Sequence, residues 1–123
     1  MAVSEPAFTM GVEEEYLLVD KVTGELASDP PESLVDECAK VLGEQVSNEF
    51  LRAQVEIGTR VCKDISEVRE ELKRLRSGVI GVADGYGLAP IASSTHPFGD
   101  WRNQDYVQKE RYEGLARDMQ AVA

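Results

Sequence analysis

Between residues 48 and 82 the hydrophobic period changes, and that change constrains the fold more than any other feature. From Asn48 to Val61 it is two: Leu51, Ala53, Val55, Ile57, Thr59 and Val61 alternate with Arg52, Gln54, Glu56, Gly58 and Arg60. Such alternation predicts a strand with one face on a core and one polar face. From Ile65 the apolar positions Val68, Leu72, Leu75, Val79 and Val82 follow at steps of 3, 4, 3, 4 and 3. That stripe predicts a long amphipathic helix that must pack on something. Asp64, with Glu67 three residues later, resembles a capping box, and Gly85 and Gly87 are placed to close the helix.

The remaining segments extend the pattern. Phe8 to Asp20 reads as a long strand, Lys21 to Gly24 as a turn, and Glu25 to Ala27 as a short return. Asp29 is placed to cap a helix with Pro30 at its first position. Leu34, Val35, Cys38, Val41 and Leu42 form its stripe, and Gly43 its end. Leu88 to Ser93 predicts a third main strand. From Asn103 the chain reads as helix again, with Tyr106, Tyr112, Leu115 and Met119 as core candidates. The expected fold class is α+β, a mainly antiparallel sheet with helices on one face. Glu110 to Ala123 reads as a helix still running, with neither a glycine nor a basic last turn, so the expectation is a truncated chain.

Charge narrows the function classes. The 123 residues carry 13 Lys+Arg and 23 Asp+Glu, a net charge of −10. Residues 1 to 62 hold 13 of the acids and 4 of the bases, so the excess belongs to the first half. Nothing basic is concentrated, which argues against nucleic acid and an anionic membrane surface as partners. The N-terminus has neither the basic stretch nor the apolar core of a signal peptide, and a cytoplasmic location is expected. Cys38 and Cys62 lack metal-type spacing and are expected to be reduced, partly buried thiols, with a disulfide or a nucleophilic cysteine as the alternatives.

Glu13, Glu14 and Glu15 are consecutive in a predicted strand, where acids are depleted. On an extended chain Glu13 and Glu15 point to one side, roughly 6–7 Å apart, and Glu14 to the other. At an effective dielectric near 20, two such charges repel by about 2.4 kcal/mol at ~7 Å, a cost that water or a cation must screen. Glu56 lies on the polar face of the second strand. If both strands share a sheet, Glu13, Glu15 and Glu56 converge as hard oxygen ligands of the kind Mg²⁺ takes while holding nucleotide phosphates. The other reading is a solvated edge strand that blocks aggregation, with Glu56 paired to Arg52 or Arg60. No P-loop is present, Gly78-Val79-Ile80-Gly81 lies within a helical pattern, and His96 has no visible triad partner.

Four motifs combine in order along the chain: Gly11-Val12-Glu13-Glu14-Glu15-Tyr16; Gln54-Val55-Glu56-Ile57-Gly58-Thr59; Ser94-Thr95-His96-Pro97-Phe98 followed by Trp101; and Glu110-Arg111-Tyr112. Together they resemble the carboxylate–amine ligase family related to glutamate–cysteine ligase, most closely its YbdK-like, glutamate–cysteine ligase 2 branch. The resemblance covers almost the whole chain. It implies the N-terminal portion of a glutamine synthetase-type catalytic domain, with an antiparallel sheet curved into a funnel and helices outside. It implies ATP and Mg²⁺ as cofactors, with Glu13, Glu15 and Glu56 as metal ligands. Thr95, His96 and the Arg111 region would line the amino-acid substrate site. Glu14 stands where an apolar residue is often found, and two placements are open: facing the outer layer near solvent, or turned by a bulge.

The implied reaction is ATP-dependent amide formation through an acyl phosphate, with ATP and amino-acid substrates as partners. Family members are well over twice this length, so the chain is expected to carry one side of the site, to bind Mg²⁺ weakly alone and not to turn over. The reading from a different class is a truncated, non-catalytic acidic binding or dimerisation module. In it, apolar surface left by an incomplete sheet recruits a second chain as a homo-oligomer.

Overall fold

The computed structural model describes residues 6–119. Its elements are β1 (Glu13–Asp20), α1 (Ser33–Leu42), β2 (Val46–Asn48), β3 (Gln54–Gly58), α2 (Ile65–Asp84), β4 (Leu88–Ile91) and α3 (Glu110–Met119), with short 3₁₀ turns at Gly43–Gln45 and Trp101–Asn103. The strands form one sheet in the order β2-β3-β1-β4, and every pairing is antiparallel. The expected α+β class and antiparallel sheet are borne out. The last four residues of the C-terminal helix read from the sequence lie outside the described residues.

The change of period builds the core. Tyr16, Leu18, Val55 and Ile57 project from one side of the sheet and pack with Leu34, Val35, Cys38 and Leu42 of α1 and Leu75, Val79 and Ala83 of α2. Each fully buried aliphatic side chain contributes about 1.5–3 kcal/mol relative to exposure. The start of α2 is capped as expected: Asp64 accepts from the backbone N–H groups of Ser66 and Glu67 at 2.9 and 3.0 Å. Glu67 reaches back to the N–H of Lys63 rather than of the cap itself. Ile65 opens the stripe but is 71% exposed, because the first turn overhangs the core that Val68 enters. Gly78, read as an ordinary helix position, is where α1 and α2 touch. A Cβ there would lie 2.5 Å from Leu42 Cδ2.

Several boundaries differ from the sequence reading, among them the last helix, expected from Asn103 but starting at Glu110 after an extended stretch bridged to Leu51. The strand expected over Asn48–Val61 is a hairpin: β2 ends at Asn48, Leu51 bridges Tyr106, and β3 starts at Gln54. Alternation at 51–53 is therefore satisfied against another segment, and the Gln54 side chain accepts the Leu51 N–H at 3.0 Å. The first strand is regular only from Glu13, with Met10 paired to Cys62 ahead of it. The first helix starts at Ser33, because Pro30 precedes a second proline, which disfavours helical backbone there, and Asp29 instead pairs with Arg52, whose Nη1 lies 2.6 Å from it. Of the core candidates after residue 103, Tyr112 is buried and Tyr106 partly so, whereas Leu115 and Met119 are exposed. Both cysteines are free thiols and fully buried, with no disulfide between them. No helix among the described residues is long and apolar enough to cross a membrane.

Candidate metal centre

Alternation along β1 separates the three glutamates. Glu14 and Tyr16 face the helices, and Glu13 and Glu15 face the opposite, open side. The register runs without a bulge: Glu13 opposes Gly58, Glu14 opposes Ile57 and Glu15 opposes Glu56. On the helix side the Tyr16 hydroxyl donates to Glu14, and Arg76 of α2 grips the same carboxylate through Nε at 2.9 Å and through Nη2. The Arg76 hydrogen bonds hold the Glu14 carboxyl below its ordinary range, against the burial that raises it. Burial, followed by the hydrogen bond to Glu14, pushes the Tyr16 hydroxyl up to about 12. The open question about Glu14 is settled: it faces the outer helix layer, paired with an arginine there.

On the open side the picture reverses. Glu15 and Glu56 are directly opposite, Ser47 of β2 flanks Glu56, and Glu49 follows β2. One carboxylate oxygen from each of Glu15, Glu49 and Glu56 lies within 4.8 Å of the others. Two unit charges at 4.8 Å repel by about 3.5 kcal/mol at an effective dielectric near 20, less at the exposed Glu15 where solvent screens them. Among the described residues none of Glu13, Glu15, Glu49 and Glu56 has a salt-bridge partner. The Ser47 hydroxyl donates to Glu56 at 3.2 Å. Burial nevertheless raises the Glu56 carboxyl above its ordinary value, and the charges of Glu49, Glu13 and Glu15 add to the rise. Arg52 and Arg60, the partners expected for Glu56 in the alternative reading, bind Asp29 and Glu71 instead.

Of the residues expected in a metal site, Glu15 and Glu56 are brought together and Glu13 flanks them opposite Gly58. Glu49 was missed, because only the β2–β3 hairpin folds it back onto Glu56. Buried Glu71 was also missed, although Val68, Glu71 and Leu75 keep the spacing of the buried stripe.

The proposed substrate residues are spread out. The His96 ring nitrogen Nε2 donates to the Gly24 carbonyl at 2.8 Å, which leaves Nδ1 to accept the Phe98 N–H at 3.4 Å. The histidine is thus fastened to the turn after β1, at the far end of the strand from Glu13 and Glu15. Thr95 beside it is exposed, and its carbonyl accepts from Ser93. Arg111, in the first turn of α3, lies 5.5 Å from the Tyr112 ring centroid. Tyr112 in turn donates to the Asn48 carbonyl at 3.4 Å, next to Glu49. Arg111 therefore sits by the β2–β3 hairpin next to Glu49, and His96 by the turn after β1.

A family model described as "Glutamate-cysteine ligase family 2 (GCS2)" matches residues 9–123. The chain belongs to glutamate–cysteine ligase family 2. Among curated relatives, "Putative glutamate--cysteine ligase 2" of Rhodospirillum rubrum is 52% identical over 122 residues, covering 96% of this chain and 31% of that protein. Proteins of the same name from Jannaschia sp. and Chloroflexus aurantiacus are 50% and 42% identical, covering 97% and 95% of this chain. This family-2 chain spans about a third of the length of the curated relatives it matches. The resemblance drawn from the four motifs is borne out at the level of the family.

Proposed function

We propose that the chain is the N-terminal, metal-binding portion of an ATP-dependent carboxylate–amine ligase of the glutamate–cysteine ligase type. The observation that carries this reading is the trio Glu15, Glu49 and Glu56 on the open face of the sheet, mutually within 4.8 Å and without a cationic partner among the described residues. The donor set fits Mg²⁺: all three ligands are hard carboxylate oxygens, and no soft thiolate is near, both cysteines being buried elsewhere. Glu15, Glu49 and Glu56 would hold the ion, with Glu13 beside them. Bound there, Mg²⁺ would neutralise charge on the nucleotide phosphates.

The chain's own residues do the rest by position. Glu14, fastened to Arg76, fixes β1 so that Glu13 and Glu15 project to the open side. Ser47 orients Glu56. Tyr112 ties α3, and with it Arg111, to Asn48 beside the carboxylates. In the proposed reaction ATP phosphorylates a substrate carboxylate, an amine attacks the acyl phosphate, and an amide forms with release of ADP and phosphate. Glutamate as the acid and cysteine as the amine follow from the names of the relatives. The test is ADP release by the full-length protein with Mg²⁺ across pairs of amino acids. Amino-acid-dependent ADP formation is expected, and its absence with every pairing contradicts the reading.

A further inference from the structure

The two arginines that flank Glu56 in sequence are both held away from the open face. Arg52 lies four residues before Glu56 and is bound by Asp29, with Glu32 3.8 Å away. Arg60 lies four residues after Glu56, and its Nη2 is 3.7 Å from Glu71. Pairing with β1 continues past Gly58: the Thr59 N–H donates to the Val12 carbonyl at 2.9 Å, and Val12 donates to the Thr59 hydroxyl at 3.0 Å. Arg60 follows Gly58, the partner of Glu13, by two residues, just ahead of the Met10–Cys62 bridge. Its guanidinium turns to Glu71 rather than to the acidic face.

Glu71 is suited to that task. It is the one buried charged residue among those described, 5% exposed. It accepts from Gln45 Nε2 at 3.0 Å and from Arg74 Nη2 at 3.3 Å. The same Gln45 nitrogen donates to the Gly58 carbonyl at 2.9 Å, at the position that opposes Glu13. A buried carboxylate with three partners is costly to build, and packing alone would favour an apolar residue in the stripe. We propose that Glu71 is a positioning residue for the acidic face: it retains Arg60 and, through Gln45, fixes the end of β3, so that Glu13, Glu15, Glu49 and Glu56 stay open to an external cation. This rests on the reading of that face as a metal centre.

The experiment is calorimetric titration of Mn²⁺ into the full-length protein at low ionic strength, for wild type, Glu71→Gln, Arg60→Gln and the double variant, with melting temperatures measured in parallel. Glu71→Gln is expected to weaken Mn²⁺ binding about twofold to fivefold, the strength of one competing exposed ion pair. Arg60→Gln alone leaves binding unchanged, and in the double variant it restores affinity while the melting temperature stays low. A purely structural role for Glu71 gives no such rescue. Wild-type affinity in Glu71→Gln, or a double variant as weak as Glu71→Gln, overturns the proposal. Should Glu71→Gln not fold, Gln45→Ala, which releases Gly58, must also weaken Mn²⁺ binding, and unaltered affinity there overturns it too. A wild-type protein that binds no Mn²⁺ overturns the metal-centre reading and this inference together, and shows itself before any variant is compared.

Discussion

The two sides of β1 carry the same residue type under opposite electrostatic conditions. Toward the helices, Glu14 is gripped by Arg76 and Tyr16, and its carboxyl is held below the ordinary range. Toward the open side, Glu15 meets Glu56 and Glu49 with no cation among the described residues, and Glu56 is pushed upward. One residue of strand period separates a carboxylate used for structure from carboxylates left available for a ligand. The difference teaches that acidity by itself carries no functional meaning here, and that the company each carboxylate keeps does.

The largest expected effect is on activity. In the full-length protein, Glu15→Gln or Glu56→Gln should lower amino-acid-dependent ADP release by more than about 100-fold, since even residues that only orient a metal ligand cost 10–100-fold. Glu14→Gln should stay within about 100-fold of wild type by the same yardstick, and a Glu14 variant as inactive as Glu56→Gln would erase the distinction between the faces.

Acid titration sharpens it from the helix side. The Glu71 carboxyl is lowered from 4.5 to about 2, first by the Gln45 hydrogen bond, against burial, with Arg74 adding to the fall. A depressed folded-state value gives stability that is present above the unfolded value and is lost as pH falls through the folded one. Between pH 4.5 and about 2, wild type should therefore lose more melting temperature than Glu71→Gln. Parallel acid profiles for the two proteins would contradict the Glu71 network.

Smaller effects follow in stability. Glu14→Ala leaves Arg76 and the Tyr16 hydroxyl without their acceptor and should cost about 1 kcal/mol in urea unfolding. Glu56→Gln removes a like charge directly across from Glu15. In EDTA it should stabilise by about 0.2–1 kcal/mol, a gain that reverses when Mg²⁺ is added. Stabilisation by Glu14→Ala together with loss in Glu56→Gln would invert the comparison.

How much of this was legible in the sequence depended on range. Period two and the 3-4 stripe gave β3 and α2, and Asp64 gave the start of α2, because those signals are local. Glu13 and Glu15 were separable from Glu14 for the same reason. Glu49 was not, since its approach to Glu56 depends on a hairpin whose turn has neither Gly nor Pro to announce it. The start of α1 was misplaced because the proline after Pro30 disfavours helical backbone at the position Asp29 would cap. The fold places His96 at the turn after β1 and Arg111 beside the β2–β3 hairpin, positions that depend on long-range contacts no local pattern announces.

The central claim is that the open-face glutamates take a divalent cation that a nucleotide shares. Titrating Mg²⁺ into the full-length protein, with and without ATP, tests it most directly when wild type is compared with the double variant Glu15→Gln/Glu56→Gln. Saturable binding that ATP tightens in wild type, and that the double variant lacks, is the predicted result. Equal Mg²⁺ affinity in the two proteins would contradict it.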